Sequence, residues 1–312
     1  MKAIGMNYLT YVDLGNHNAG EGGSQLSDLK KYGNKPYISG QAYRHSIKDA
    51  LKAIVDDLST VDCTPRNACG DIENCKLCDL FGYMNTDLEP DDGEPNPNRV
   101  SPLRVSPLVG QYDMPITTDL VVQYDVEGDN RMARREIEEN VFKGGIALDL
   151  DSIGRRENEE VNTDRDYDEQ YHRELENEID EDERKERAKE LIDAVQNSTQ
   201  LAGQARHMAD FMPDLLVVSS QDQYNQRVSN ALHVDPESGE LNTKSFESVL
   251  QDLTNMESDG EGKVWVAGTY NPEVISNWDE VMETAEEIEG VTIVDTVSGC
   301  YEAVKEEIDS EL

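Results

Sequence analysis

The feature that most constrains the fold is the order of the apolar segments. Residues 3–12 (AIGMNYLTYV) read as a first strand. From Gln41 the pattern turns helical: Tyr43, Ile47, Ala50, Leu51, Ile54, Val55 and Leu58 recur at three- and four-residue spacing, with Ser39 placed to cap the helix. Strand-like runs follow at 118–124, 145–150, 214–219 and 263–269. An amphipathic helix is expected over 277–289 and a last strand over 291–297, after which the acidic C-terminus frays. Strand, helix, strand, strand, helix, strand is the ferredoxin-like arrangement. The expected fold is therefore α+β: one domain over 1–312 with a modified RRM/ferredoxin-like core and large insertions.

Three tracts fall outside that core pattern. Residues 60–115 hold four of the five cysteines and then a Pro-rich stretch, and read as an insertion. Residues 127–145 read as the tip of a projecting hairpin. Residues 155–195 read as an acidic charged segment, either a solvated helix or a partly disordered tract, because 155–193 contains 17 acidic and 8 basic residues.

Charge decides where a partner can bind. The chain carries 66 acidic against 28 basic residues, a formal net charge of −38, spread over most of its length. At ordinary ionic strength that charge opposes compaction, whereas molar salt shortens the Debye length to about 3 Å. The expectation is a salt-accumulating cell, a haloarchaeon, with the protein in its cytoplasm. There is no apolar run long enough to cross a membrane and no signal peptide is read at the N-terminus. One basic island breaks the pattern: within 30–52 six basic residues stand against Asp49 alone. Arg44, Lys48 and Lys52 are four apart, so they form one stripe on the first helix. A Ser-Gly turn opening a helix offers backbone N–H groups and the positive end of the helix dipole to an anion. The bland alternative is a capped surface helix with ordinary solubilising lysines.

The second motif is Cys63-x5-Cys69-x5-Cys75-x2-Cys78. Four thiols within sixteen residues can close a tetrahedral structural zinc site, although the first spacing is atypical and free thiols or another soft-ligand metal stay open. Cys300 stands alone and reads as buried core in a strand context. The five histidines show no spacing typical of a metalloprotease, and no nucleophile elbow is present.

The segment Tyr37-Ile-Ser-Gly-Gln-Ala-Tyr-Arg-His-Ser-Ile-Lys48 resembles the SGQ-x-x-R helix of the CRISPR-associated Cascade backbone subunits, the Cas-seven family of RAMP proteins, and its DevR-like branch most of all. Asn16-His-Asn18-Ala-Gly is similar to the family's Asn-rich loop, and Leu201-Ala-Gly-Gln-Ala-Arg206 to its Gly-x-Ala-Arg element. The likeness covers 3–60, resumes weakly at 78–82 and 130–150, and returns at 200–219.

That resemblance implies a non-catalytic CRISPR RNA-binding backbone subunit of a type I Cascade. Copies would form a homo-oligomer along the guide beside other Cascade subunits, and target DNA would be recognised through guide pairing. It implies guide contacts from Asn16, Asn18, Lys35, Ser39, Gln41, Arg44, His45 and Lys48. It also implies contacts from Gly203, Gln204 and Arg206, and from a thumb carrying Arg131, Met132, Arg134, Arg135 and Phe142. Related type III subunits cleave RNA with an Asp after the first strand, so a nuclease using Asp13 is the first alternative; a zinc-stabilised adaptor without RNA is the second.

Overall fold

A computed structural model describes residues 2–17, 26–27, 29–59, 61, 63–64, 67–85, 98–113, 117–123, 131–157, 175–198, 201, 209–255 and 263–312. In chain order the elements are β1 (Ala3–Gly15), β2 (Leu26–Ser27), β3 (Lys31–Tyr32), β4 (Lys35–Ile38), α1 (Gly40–Ile54), α2 (Lys76–Phe81), β5 (Tyr83–Met84), β6 (Asn98–Arg99), β7 (Leu103–Val105), β8 (Leu108–Gly110), β9 (Thr117–Gln123) and β10 (Arg131–Asp149). They continue with β11 (Arg155–Glu157), β12 (Leu175–Asn177), α3 (Glu181–Gln196), β13 (Leu215–Gln221), α4 (Thr243–Thr254), β14 (Val264–Gly268), α5 (Trp278–Glu286), β15 (Val291–Val294) and α6 (Val297–Glu311).

The α+β expectation holds. β1 is the central strand of a mixed sheet ordered β15-β14-β13-β1-β10-β8-β4-β3. It is antiparallel to β10, with Ala3 opposite Asp149, and to β13, with Ala3 opposite Gln221. Pairing on both edges and cover on both faces explain why β1 is an almost continuous apolar run rather than an alternating one. Its even positions Ile4, Met6 and Tyr8 join one core, and Leu9 joins the other. α1, α3 and α6 cover the first face; α4 and α5 cover the second over β13 and β14.

The ferredoxin-like core runs β1, α1, β7/β8, β10, α3, β13, with β13-β1-β10-β8 as adjacent strands. Its second crossover helix is not the one expected over 277–289. That helix, α5, packs on the opposite face beside α4, and the position belongs to α3. The expectation of 155–195 as a solvated insertion is corrected for its helical part: Ala188, Leu191, Ile192, Ala194 and Val195 of α3 are buried in the core. The 60–115 tract likewise contributes core elements, since β7 and β8 pair with β10 and Leu80 and Phe81 of α2 are buried. The C-terminus does not fray. The last strand ends at Val294, and α6 buries Cys300, Tyr301, Val304 and Ile308, so Cys300 is core but helical.

The hairpin is present in a different proportion. β9 pairs with 131–137 of β10, whereas 138–149 of the same strand lie in the central sheet against β1. Phe142 is fully buried there and packs near His17 and Phe211, so it is a core residue rather than a thumb residue. Residues 127–130 of the expected tip lie outside the described residues.

Candidate nucleic-acid interface

α1 explains the Ser-Gly-Gln motif residue by residue. The Ser39 hydroxyl accepts the Ala42 N–H at 3.3 Å, capping the helix, which contributes about 1 kcal/mol. Gly40 sits so close to the backbone of the β7–β8 connection that a Cβ would lie 2.8 Å from the Val105 carbonyl oxygen. Tyr43, Ile47 and Leu51 are buried on the sheet side, at roughly 1.5–3 kcal/mol each. Gln41, Arg44, His45 and Lys48 are left on the other side.

Those four side chains line an open furrow of about 630 Å³ whose far wall is Phe81, Gly82, Tyr83, Met84, Arg99 and Ser101. The lining holds three potential or permanent cations from α1 and one from Arg99, and no carboxylate. Arg44 donates to the Phe81 carbonyl oxygen. Its guanidinium carbon is 5.9 Å and the Lys48 ammonium 5.6 Å from the centroid of the Phe81 ring. Burial lowers both Arg44 and Lys48 from their ordinary pKa, with Lys52 adding repulsion at Lys48. Among the described residues neither has a carboxylate within ion-pair distance. At the outer end Asp49 meets His45 at 3.3 Å and Lys52 at 2.9 Å, both pairs being solvent-exposed. A cationic groove with the Gln41 amide beside it and the buried Phe81 ring beneath its cations can hold a phosphate backbone.

The far wall is built by the cysteine-bearing tract. Cys75 caps α2, its sulfur accepting the Cys78 N–H at 3.5 Å. The sulfurs of Cys63, Cys69, Cys75 and Cys78 all lie within 4.8 Å of one another, with Cys63 and Cys69 each 3.5 Å from Cys78. Tetrahedral thiolates about 2.3 Å from a zinc ion stand about 3.8 Å apart, so the cluster has the right size for a metal. Hydrogen bonds, chiefly from the Cys78 thiol, pull Cys75 down to about 4, while burial pushes Cys69 up to about 12. Among the described residues this is the one group of three or more side chains placed to hold a metal ion. Asp13, on the exposed end of β1, belongs to no such group.

On its other side α2 is held by Asp79. This fully buried carboxylate accepts from Arg99 at 2.5 Å, from Arg187 of α3 at 2.9 Å and from the Gly154 N–H at 3.0 Å. Arg99 also reaches the Ser152 and Arg155 carbonyls, so most of its donors are engaged by the protein. Gly82 then turns the chain with φ +62°, where a Cβ would strike the Arg99 carbonyl.

A family model described as "CRISPR-associated negative auto-regulator DevR/Csa2" matches residues 26–233. The chain belongs to that family. The matched span includes α1, the cysteine tract, the β9–β10 hairpin and α3. No curated protein is similar enough in sequence to match. Two solved structures titled "CRISPR RNA-guided surveillance complex", one of them pre-nicking, share the fold. Each alignment covers 98% of this chain and 99% of theirs, with TM-scores of 0.58 and 0.59 at 14% and 12% identity. No helix among the described residues is long and apolar enough to cross a membrane.

The remaining expected contacts of this DevR/Csa2 family member divide. Lys35 pairs with Tyr32 in the edge hairpin and, like Ser39, does not line the furrow. Asn16 is buried, donating to the Glu136 carbonyl at 2.7 Å, so it fastens the end of β1 to β10 instead of presenting its amide outward. Asn18, Gly203, Gln204 and Arg206 lie outside the described residues. Arg131, Arg134 and Arg135 are in the arm of β10 that pairs with β9. The furrow wall at 81–84, 99 and 101 is absent from the expected contacts; of the sequence readings only the weak likeness at 78–82 falls on it.

Proposed function

We propose that this chain is a non-catalytic guide-RNA-binding backbone subunit of a type I CRISPR surveillance complex, and that copies of it line up along one guide. Membership of the DevR/Csa2 family and the fold shared with surveillance-complex chains support this reading. The observation that carries it is the furrow: in a chain of net charge −38, an open groove beside α1 is lined by cations without a carboxylate among them. Gln41, His45 and Lys48 hold the sugar–phosphate backbone, and Arg44 does so with the donors that Phe81 leaves. The guide's bases then select target DNA by pairing, so the protein itself reads no sequence. Other Cascade subunits are its partners. A zinc ion in the cysteine cluster is a structural part of the fold, and the cytoplasm of a salt-accumulating cell is its setting. In molar salt, long-range attraction is screened, and binding rests on short contacts.

The test is to purify the full chain from its native host and sequence any RNA that travels with it. Spacer-derived guides of uniform length are expected. Absence of RNA, or RNA of random origin, overturns the reading. Divalent-metal-dependent RNA cleavage lost in Asp13→Ala selects the nuclease instead.

A further inference from the structure

We propose that the four-cysteine cluster, loaded with a thiophilic divalent ion, is the positioning centre of the furrow, so that RNA affinity and metal affinity are linked. This rests on the RNA-binding reading above and adds to it. α2 has six residues, too few to stand by helical propensity alone. Two anchors fix it: Asp79 with Arg99 and Arg187 on one side, and the cysteine sulfurs on the other. Cys78 and Phe81 are three apart on this one helix, so they lie on neighbouring turns of the same side. Where the Cys78 sulfur is held, the Phe81 carbonyl and ring are held too. Phe81 in turn sets the Arg44 guanidinium through its carbonyl and lies against Lys48 through its ring.

The end of the chain leading to α2 is tied to the core, by Arg187 on the Ile72 and Glu73 carbonyls and by burial of Ile72, whereas its Cys63–Cys69 part is held more loosely. Between Cys63 and Cys75 its regular pairing amounts to the bridges Ser59–Cys75 and Thr64–Asn67 among the described residues. A second cavity of about 230 Å³ lies between the cluster and the stripe, lined by Lys48, Lys52, Cys63 and Cys78 with Tyr83 and Met84. Lys48 thus borders both the furrow and the cysteine centre. Without an ion nothing ties Cys63 and Cys69 to Cys75 and Cys78, so α2 keeps its Asp79 anchor and its buried face but loses the second anchor that fixes where the Phe81 carbonyl meets Arg44. Phe81 is a positioning residue in this arrangement; it does not itself need to touch RNA.

The experiment uses the full chain, a fluorescein-labelled oligouridine RNA as probe, and zinc as the metal. The expected result is one zinc per chain by metal analysis. Chelation should weaken oligouridine binding about tenfold while the far-UV circular dichroism is kept, and added zinc should restore it. Coupling is reciprocal, so saturating oligouridine must tighten zinc binding by the same factor, which a merely structural metal does not require. Cobalt substitution should give thiolate charge-transfer absorption, lost in Cys75→Ser. Should Cys75→Ser fail to fold, Phe81→Leu keeps all four thiols; it should bind a full complement of zinc and hold oligouridine about threefold more weakly. RNA binding indifferent to zinc, a chain that takes up no zinc, or Phe81→Leu with unaltered RNA affinity each overturns the proposal. A zinc-loaded chain that binds no RNA overturns the RNA reading as well, so the two failures are told apart.

Discussion

α1 and α3 lie side by side on the same face of the sheet, and each carries two cations at its working positions. They use them in opposite ways. Arg44 and Lys48 of α1 face the furrow, where among the described residues Arg44 has a single carbonyl partner and Lys48 has none but an aromatic ring. Arg184 and Arg187 of α3 are buried and bonded to the protein's own acceptors. Arg184 donates to the Ile153 and Leu150 carbonyls, and Arg187 to Asp79, Glu183 and the Ile72 and Glu73 carbonyls. Burial pulls Arg187 down, yet Asp79 and Glu183 more than offset it and raise its pKa; at Arg184 burial and the neighbouring Arg155 outweigh Asp151, Glu181 and Asp79, and its pKa is lowered. A charge inside this fold is structural when carboxylates and carbonyls converge on it, and available to a ligand when they do not.

The strongest way to break that distinction is at Asp79. Asp79→Ala strands two buried guanidinium groups and is expected to lower unfolding free energy by about 3–5 kcal/mol. Urea denaturation checks it, and a loss below about 1 kcal/mol would show that water relieves those arginines. Glu138 of β10 gives the opposite case, a buried carboxylate whose oxygens have no hydrogen-bond partner of normal geometry. Burial pushes it up to about 8 from 4.5. The folded state therefore holds a proton that the unfolded state releases, so the contribution of Glu138 to stability is highest below pH 4.5 and falls as pH rises toward 8. Across that window the expected loss is a few kcal/mol. Glu138→Gln should flatten the profile, and an unchanged slope would place the titration elsewhere.

This contrast also explains what the sequence made legible. α1 was readable because its apolar residues recur with helical period and its cap is a serine; the structure returns the same helix with the same cap. α3 was not, because its buried face starts with arginines whose partners are distant in sequence. Asp79 is 108 residues from Arg187, and no local pattern encodes that pairing. The same limit applies to the site. The helix side of the furrow could be named from the Ser-Gly-Gln motif, whereas the wall at 81–84, 99 and 101 is brought there by α2, the Gly82 turn and Asp79. Asn16 resembled a ligand-binding amide, and only the burial of its side chain reveals that it fastens β1 to β10.

At α1 the expected pattern reverses that of Asp79. Arg44→Ala with Lys48→Ala should weaken oligouridine binding about tenfold. Its effect on stability should stay near 1 kcal/mol, the contribution of the bond to Phe81. Fluorescence anisotropy beside urea denaturation separates the two effects. A chain that unfolds while its RNA affinity per folded molecule is unaltered would move these residues into the class of Arg184 and Arg187.

The smallest effect concerns Asp49, among the described residues the one carboxylate that pairs with the stripe. It pairs with His45 and Lys52, both exposed, so Asp49→Asn should change stability by less than about 0.5 kcal/mol. Its effect on RNA should be a gain, because the substitution removes a negative charge at the mouth of the furrow and releases Lys52 to a phosphate. One further phosphate contact steepens the dependence of log affinity on log salt by about 0.9 or less. The gain should therefore appear at low ionic strength and vanish toward molar salt, where the Debye length is about 3 Å. Titrating oligouridine into Asp49→Asn at several salt concentrations measures that slope directly. A slope equal to that of the unsubstituted chain would mean that Lys52 lies beyond the RNA path, and would end the interface at Lys48.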